Sequence, residues 1–274
     1  NIGTNVAYIG IMAIAMTMVI VSGGFDLSVG AVVALTAVTV AKIHDMDVNI
    51  WIAVAAGFAV GPIVGLSNGL LVTKVGINPL ITTLGTMSIV RGLAFVLTGG
   101  LTGTILDSGF AVIGRGEFVG IPVPLIILIV WFVIASIVMS YTRFGRDLYS
   151  IGGNAEASRL AGIPVDRRKI AVYVISGSAA SVAGIVLASQ LGAGAPQSAA
   201  GVELTVITAV ILGGTSLSGG KGTVWGTMLG VFIMGVLNNG LALLRVSSFY
   251  QEVFRGAVLL LAVAMDQLGQ RRRR

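Results

Sequence analysis

Long apolar blocks separated by short polar stretches dominate the chain. Nine such blocks lie at about 6–21, 27–42, 50–73, 79–98, 123–141, 170–191, 202–214, 224–244 and 253–267. A helix that crosses a bilayer takes about 20 mostly apolar residues. The pattern therefore predicts an all-α protein, a polytopic transmembrane helical bundle forming one domain over residues 1–274. Blocks 27–42 and 202–214 are short for a full crossing. They are expected to be broken or partial helices, which a membrane tolerates where protein or a cavity surrounds them. Within 50–73, Gly57, Gly61, Gly65 and Gly69 recur every fourth residue on one helix face. Such a face lets a neighbouring helix approach closely. It serves either packing inside one subunit or a seam between two.

Composition agrees with the pattern. Hydrophobic residues make up 55% and charged residues 10% of the 274, against about 25% charged in soluble domains. With no cysteine there is neither a disulfide nor a thiolate metal site. The one histidine, His44, sits beside Asp45 and Asp47 in a polar stretch and reads as solvated, so no metal or other cofactor is expected. A net charge of +6 would point to nucleic acid in a soluble protein. Here the cations mark membrane orientation instead, and the nonspecific partner is lipid.

With the loop 142–169 placed in the cytoplasm, the inner side holds Lys74, Arg143, Arg146, Arg159, Arg167, Arg168, Lys169, Lys221 and Arg271 to Arg274. The outer side holds Lys42, Arg115, Arg245 and Arg255. This asymmetry follows the positive-inside rule and puts the C-terminus in the cytoplasm. Asn1 then starts outside without a secretory signal, which predicts one further span ahead of it, ten in all.

The loop 142–169 is the longest polar stretch on that side. Inside it, Asn154 to Ala161 reads as a short helix, capped by Asn154 and stopped by Gly162 and Pro164. Glu156 in the first turn and Arg159 in the last complement the helix dipole. The helix is either a rigid knob that docks into a soluble partner or a plain surface helix. A second string, Gly213 to Gly222, looks like a phosphate loop but fails its spacing, because Thr215 stands at the first glycine position and Gly222 follows Lys221. It reads as a tight turn. It shares Gly-Gly-x-x-Leu-Ser-x-Gly with Gly23 to Gly30, a weak sign of an internal repeat.

Charges inside the blocks are candidates for function. Asp26 is expected to cap the helix that follows it. Arg91 lines a solute path or bonds backbone carbonyls freed by a broken helix. Asn68, Thr82, Thr83, Asn238 and Asn239 suit hydroxyl recognition, and interhelical hydrogen bonds explain them equally well. With Arg91 they form the candidate translocation path. No catalytic set and no relay of acids in the spans is present, which argues against a membrane enzyme and a proton-coupled pump.

Three strings, Ser22 to Gly30, Gly152 to Gly162 and Leu212 to Gly222, together with Leu237 to Gln251, resemble the ribose-type permeases of bacterial ABC sugar importers. The motifs run in family order from about residue 5 to 267. The resemblance implies about ten spans in the bacterial inner membrane and a likeness to permeases for ribose, xylose, arabinose, galactose forms and autoinducer-2. It implies a second permease subunit, forming a homodimer. It also implies a cytoplasmic ATP-binding subunit that performs the hydrolysis, and a periplasmic sugar-binding protein. The ATPase-coupling residues it implies are Gly152, Gly153, Asn154, Glu156, Arg159, Leu160 and Gly162. Open alternatives are a permease for nucleosides or another small solute of the same superfamily, and an ATP-independent carrier or channel.

Overall fold

Each apolar block becomes a helix, and two polar stretches add three more. The structure is a computed structural model describing residues 2–271; Asn1 and Arg272 to Arg274, part of the terminal cationic run, lie outside the described residues. In chain order the helices are α1 (Ile2–Val21), α2 (Val29–His44), α3 (Ile50–Leu70), α4 (Pro79–Thr98), α5 (Ser108–Arg115) and α6 (Val123–Tyr141). They continue with α7 (Arg143–Gly153), α8 (Ala155–Leu160), α9 (Val165–Leu191), α10 (Val202–Leu212), α11 (Val224–Leu243) and α12 (Ser248–Arg271). A π-helical turn, Leu71–Val75, prolongs α3. Two antiparallel pairs of very short strands complete the fold: Gly103–Thr104 with Ala193–Gly194, and Glu117–Phe118 with Ile121–Pro122.

The protein is a polytopic helical membrane protein. Among the described residues, five helices are long and apolar enough to cross a membrane: Ile50–Val75, α4, α6, α9 and α11. Shorter apolar helices cover Val6–Val21, Val29–His44 and Val202–Leu212. The core is built on α1, whose side chains from Ile11 to Val21 are all buried, together with α2, α9 and α10. Around it, α4, α6 and α11 expose Ile81, Val96, Ile129, Val133, Leu229 and Phe232. A water-soluble protein rarely exposes apolar faces this large, whereas lipid accommodates them.

The glycine face of α3 packs inside the subunit. A Cβ at Gly61 or Gly65 would overlap the backbone of Gly177 or Tyr173 on α9, and one at Gly69 would lie 2.8 Å from Ile170 Cα. Gly57 fits against Val40 and Thr36 of α2. Gly177 answers Gly61 from the other side. The face is consumed by packing within one chain, so the alternative of an intersubunit seam on it is set aside.

The ends of the helices sort into two layers. At one end Lys74 pairs with Asp166 at 2.9 Å, Gly220 N–H donates to Val21 O at 2.9 Å, and Tyr149 Oη donates to Gly222 O at 2.8 Å. Leu217 N–H donates to Asp266 Oδ2, bringing the end of α12 to this same layer. At the other end Ile105 N–H donates to Gly192 O, and Gln190 donates to Thr4 O. Loops 22–28, 71–78, 142–164 and 213–223 thus share one end, as strict alternation of the nine blocks requires.

Both short blocks are partial helices. α10 has 11 residues, about 16 Å of helix, roughly half the apolar thickness of a bilayer. The chain reaches it through a non-helical stretch, 195–201, that enters the bundle: Ala199 O and Val202 lie against Gly30 near the start of α2. α2 has 16 residues and begins only after the 22–28 segment.

Candidate functional site

Thr142 starts α7, accepting the Gly145 N–H at 3.3 Å. Leu148 and Ile151 are buried and Phe144 packs on the core. Asn154 then ends α7 and caps α8 in one step, its Oδ1 accepting the Ala157 N–H at 2.9 Å. The two helices are tied by the Ser150 and Ser158 hydroxyls at 2.9 Å. Gly162, at φ +83°, and Pro164 turn the chain into α9. Arg168 of α9 holds α7 through Asp147 at 2.7 Å, its guanidinium 5.4 Å above the Phe144 ring. The result is a braced knob. Gly153, Asn154, Glu156, Arg159, Leu160 and Gly162 are exposed on it, Leu160 at 86%.

Of the residues expected to couple to an ATPase, Gly152 faces inward. A Cβ there would strike the Val21 carbonyl and the Gly220 N–H. Gly219 in turn lies against Gly152 and Gly23. Three strings far apart in sequence, 22–30, 152–162 and 212–222, therefore meet backbone to backbone at one point. Gly214, Gly219 and Gly220 all have positive φ, at +85°, +81° and +70°, which a tight glycine turn requires. Tyr149 seals the junction through Gly222 O, and burial pushes its hydroxyl pKa up, so it remains a donor at neutral pH.

Just inside this layer is a buried polar node. The expectation that Asp26 caps α2 is corrected: Ser28 occupies the N-cap position. Asp26 Oδ1 accepts the N–H and hydroxyl of Ser28, at 3.0 and 2.5 Å, and Oδ2 accepts the Ser176 hydroxyl at 2.7 Å. Asn68 Nδ2 donates to Ser28 Oγ at 3.0 Å. Asp26 is 1% exposed and without an ion-pair partner among the described residues, so these hydrogen bonds are what satisfies it.

The candidate path residues do not form one lining. Asn68 belongs to the Asp26 node. Thr82 and Thr83 are buried in the first turns of α4, Thr83 donating to Pro79 O at 2.9 Å and Thr82 Oγ1 without a partner among the described residues. Arg91, further along α4, donates through Nη1 to Pro196 O and Ser198 O, both at 2.8 Å. It holds the carbonyls of the non-helical stretch ahead of α10. Asn238 and Asn239 lie apart from these on α11, in a cavity of about 770 Å³ with Thr4, Tyr8, Arg115, Glu117 and Gln190. That cavity is near the end of the bundle opposite the knob, where Arg115 Nε donates to Gln190 O at 2.9 Å.

Sequence reasoning missed Glu203. It stands in the first turn of α10, close enough to Arg91 to interact electrostatically, with Oε2 buried and without a hydrogen-bond partner. An acid inside a short apolar block was the available signal. α7 was also missed as a helix, although Phe144, Leu148 and Ile151 recur at helical spacing.

Comparison with known proteins follows the same lines. Residues 1–263 match the family described as branched-chain amino acid transport system / permease component. The chain is 46% identical over 269 residues to the ribose import permease protein RbsC of Bacillus subtilis, covering 97% of this chain and 84% of that protein. It is 42% identical over 274 residues to the L-arabinose transport system permease protein AraH of Escherichia coli, covering 100% and 84%. Against RbsC of Escherichia coli K12 the identity is 44% over 264 residues, 95% and 82% of the two chains. No solved structure matches.

Proposed function

The chain belongs to the branched-chain amino acid transport system / permease component family, and from that premise we propose that it is the membrane-spanning permease of an ATP-driven importer of a monosaccharide. The observation that carries this reading is identity of 42–46% across nearly the whole chain with permeases named for ribose and arabinose. The braced knob of α7 and α8 supports it from the structure. Glu156, Arg159 and Leu160 present two charges and an exposed apolar side chain on a rigid support, which is what docking to a soluble ATPase needs. In this reading the chain is a transport subunit with no hydrolytic step of its own. A second copy completes the pathway, and a periplasmic binding protein delivers the sugar.

The knob end then faces the cytoplasm, as the positive-inside rule prefers for its cluster of Arg143, Arg146, Arg159, Arg167, Arg168 and Lys169. In this reading the end of α12, whose Asp266 meets Leu217 in the knob's layer, is cytoplasmic as well. The cavity bounded by Asn238 and Asn239 opens toward the periplasm. Its two amides have no hydrogen-bond partner among the described residues and offer both donors and acceptors to sugar hydroxyls.

The test is uptake into proteoliposomes containing this permease, its ATPase and its binding protein, with a panel of pentoses and hexoses. Uptake that requires ATP and all three components is expected. Uptake by this chain alone, indifferent to ATP, would overturn the reading. Within the active complex, Asn238→Leu with Asn239→Leu is expected to lower uptake while leaving copurification intact.

A further inference from the structure

One charge cluster ties the docking knob to the membrane helices. Asp166, in the first turn of α9, binds two cations from different elements: Arg159 of α8 at 2.8 Å through Oδ1, and Lys74 at 2.9 Å through Oδ2. Lys74 is part of the π-helical turn that links α3 to α4. The carboxylate thus joins the exposed face of the knob to the base of a membrane helix 85 positions earlier than Arg159 (159 − 74).

What lies beyond Lys74 gives the link a consequence. π-helical turns recur at functional sites. Here the turn is followed by Gly76 at φ +81°, after which Asn78 starts α4 afresh by accepting the Leu80 N–H at 2.9 Å. α4 is therefore joined to α3 through a widened turn and a glycine, not a continuous helix. Its packing inside the subunit is chiefly on α2, and most of its length is exposed. Near its middle, Arg91 grips Pro196 O and Ser198 O ahead of the half-helix α10. α4 has the form of a lever, with a compliant joint at one end and a grip on non-helical backbone within the membrane.

We propose that Asp166 is the positioning residue that couples the docking knob to α4, holding Arg159 and Lys74 together so that movement of α8 reaches the α3–α4 turn. This rests on the reading of the knob as the ATPase-docking element. The alternative, an ordinary surface ion pair, has a different signature. All three partners are partly exposed, with 60%, 65% and 30% of the side-chain surface of Lys74, Arg159 and Asp166 accessible. Exposed pairs contribute little to stability, so removing Asp166 should leave the fold and the assembly in place.

The experiment uses the reconstituted permease with its ATPase and binding protein, reading sugar carried per ATP hydrolysed. Asp166→Ala is expected to copurify with the ATPase and to hydrolyse ATP, while sugar carried per ATP falls roughly tenfold, within the usual range of coupling between distant sites. Lys74→Gln, which leaves the Arg159 pair untouched, is expected to uncouple in the same way with an unchanged unfolding midpoint. Because the chain has no cysteine, Lys74→Cys with Arg159→Cys, whose parent side chains meet on the same carboxylate, can be bridged by a short bismaleimide. The unbridged pair is expected to be uncoupled and the bridged pair to regain coupling. Wild-type stoichiometry in both Asp166→Ala and Lys74→Gln overturns the proposal, as does a bridged pair that stays uncoupled. Glu156→Lys with Arg159→Glu separates the two levels. If it abolishes ATPase association while Asp166→Ala transports normally, the docking reading stands and the link falls. If it leaves association and transport intact, the docking reading falls and takes the link with it.

Discussion

Replacing Gly61 by alanine tests the packing of the bundle at one of its close helix–helix approaches. The added methyl would overlap the carbonyl oxygen of Gly177 and the hydroxyl of Ser181 on α9. Neither is the end of a flexible chain: one is helix backbone, and the other is a buried hydroxyl hydrogen-bonded to Thr36 of α2 at 3.0 Å. Relief requires α3 and α9 to part by about 1 Å, a gap that forfeits a quarter to a half of each dispersion contact along the seam. Overpacking of this kind costs about 2 kcal/mol, or about 4 °C in unfolding midpoint for a chain of this size. The assay is thermal unfolding of the purified permease in mild detergent. Gly85→Ala on α4 is the internal control, since a Cβ there meets nothing within 4 Å. It is expected to be neutral or stabilising by up to about 1 kcal/mol, because alanine is the better helix former. A Gly61→Ala protein as stable as the parent, or a Gly85→Ala protein that loses more stability than Gly61→Ala, would refute the assignment of the close approach to α3 and α9.

Other substitutions probe the site. Gly152→Ala is expected to open the junction beneath the knob, while Gly153→Ala, whose Cβ meets nothing within 4 Å, is expected to be silent; equal protease sensitivity of the two would refute this. Arg91→Leu strips the donor from Pro196 O and Ser198 O, at about 1–3 kcal/mol for each carbonyl left unpaired, and should lower both the detergent unfolding midpoint and uptake, with Arg91→Lys intermediate. An unperturbed midpoint for Arg91→Leu would show that those carbonyls find other partners. Asp26→Asn puts an amide donor at one of the two oxygens, facing donors from either Ser28 or Ser176, and should destabilise by about 2 kcal/mol. Combined with Ser176→Ala, the loss should be less than the sum, and strict additivity would show that the two groups do not interact.

The helices were legible because apolar length is a one-dimensional property. The nine blocks reappear as α1–α4, α6 and α9–α12, and the two blocks short for a full crossing are α2 and α10, of 16 and 11 residues. The cap of α8 was legible too, since Asn154, Gly162 and Pro164 act on their immediate neighbours. α7 was harder: its Phe144, Leu148 and Ile151 stripe is masked by Arg143, Arg146 and Asp147 in a stretch that reads as a polar loop. For the glycine face of α3, sequence gave the existence of a close partner but not its identity, because any small-residue surface answers it. The meeting of Gly23, Gly152 and Gly219 was out of reach, being a contact among three glycines each more than sixty positions from the next. The same limit applies to Arg91. Its two possible roles could not be separated until the chain between α9 and α10 was placed beside it.

The grip of Arg91 on Pro196 and Ser198 also bears on how the chain enters the bilayer during synthesis. α4 is made more than a hundred residues before its arginine's acceptors exist. An arginine in mid-span costs about 2.5–3.5 kcal/mol on insertion, and until residue 198 emerges that cost is carried by the apolar remainder of α4. The 11 residues of α10 are too few to insert as an independent crossing, so the stretch that relieves the arginine reaches membrane depth only once α9 and its neighbours can receive it. Biogenesis of the two elements is thereby interlocked: a chain truncated before residue 196 leaves α4 with an unrelieved charge, and a chain that has lost Arg91 leaves the late half-helix without its anchor.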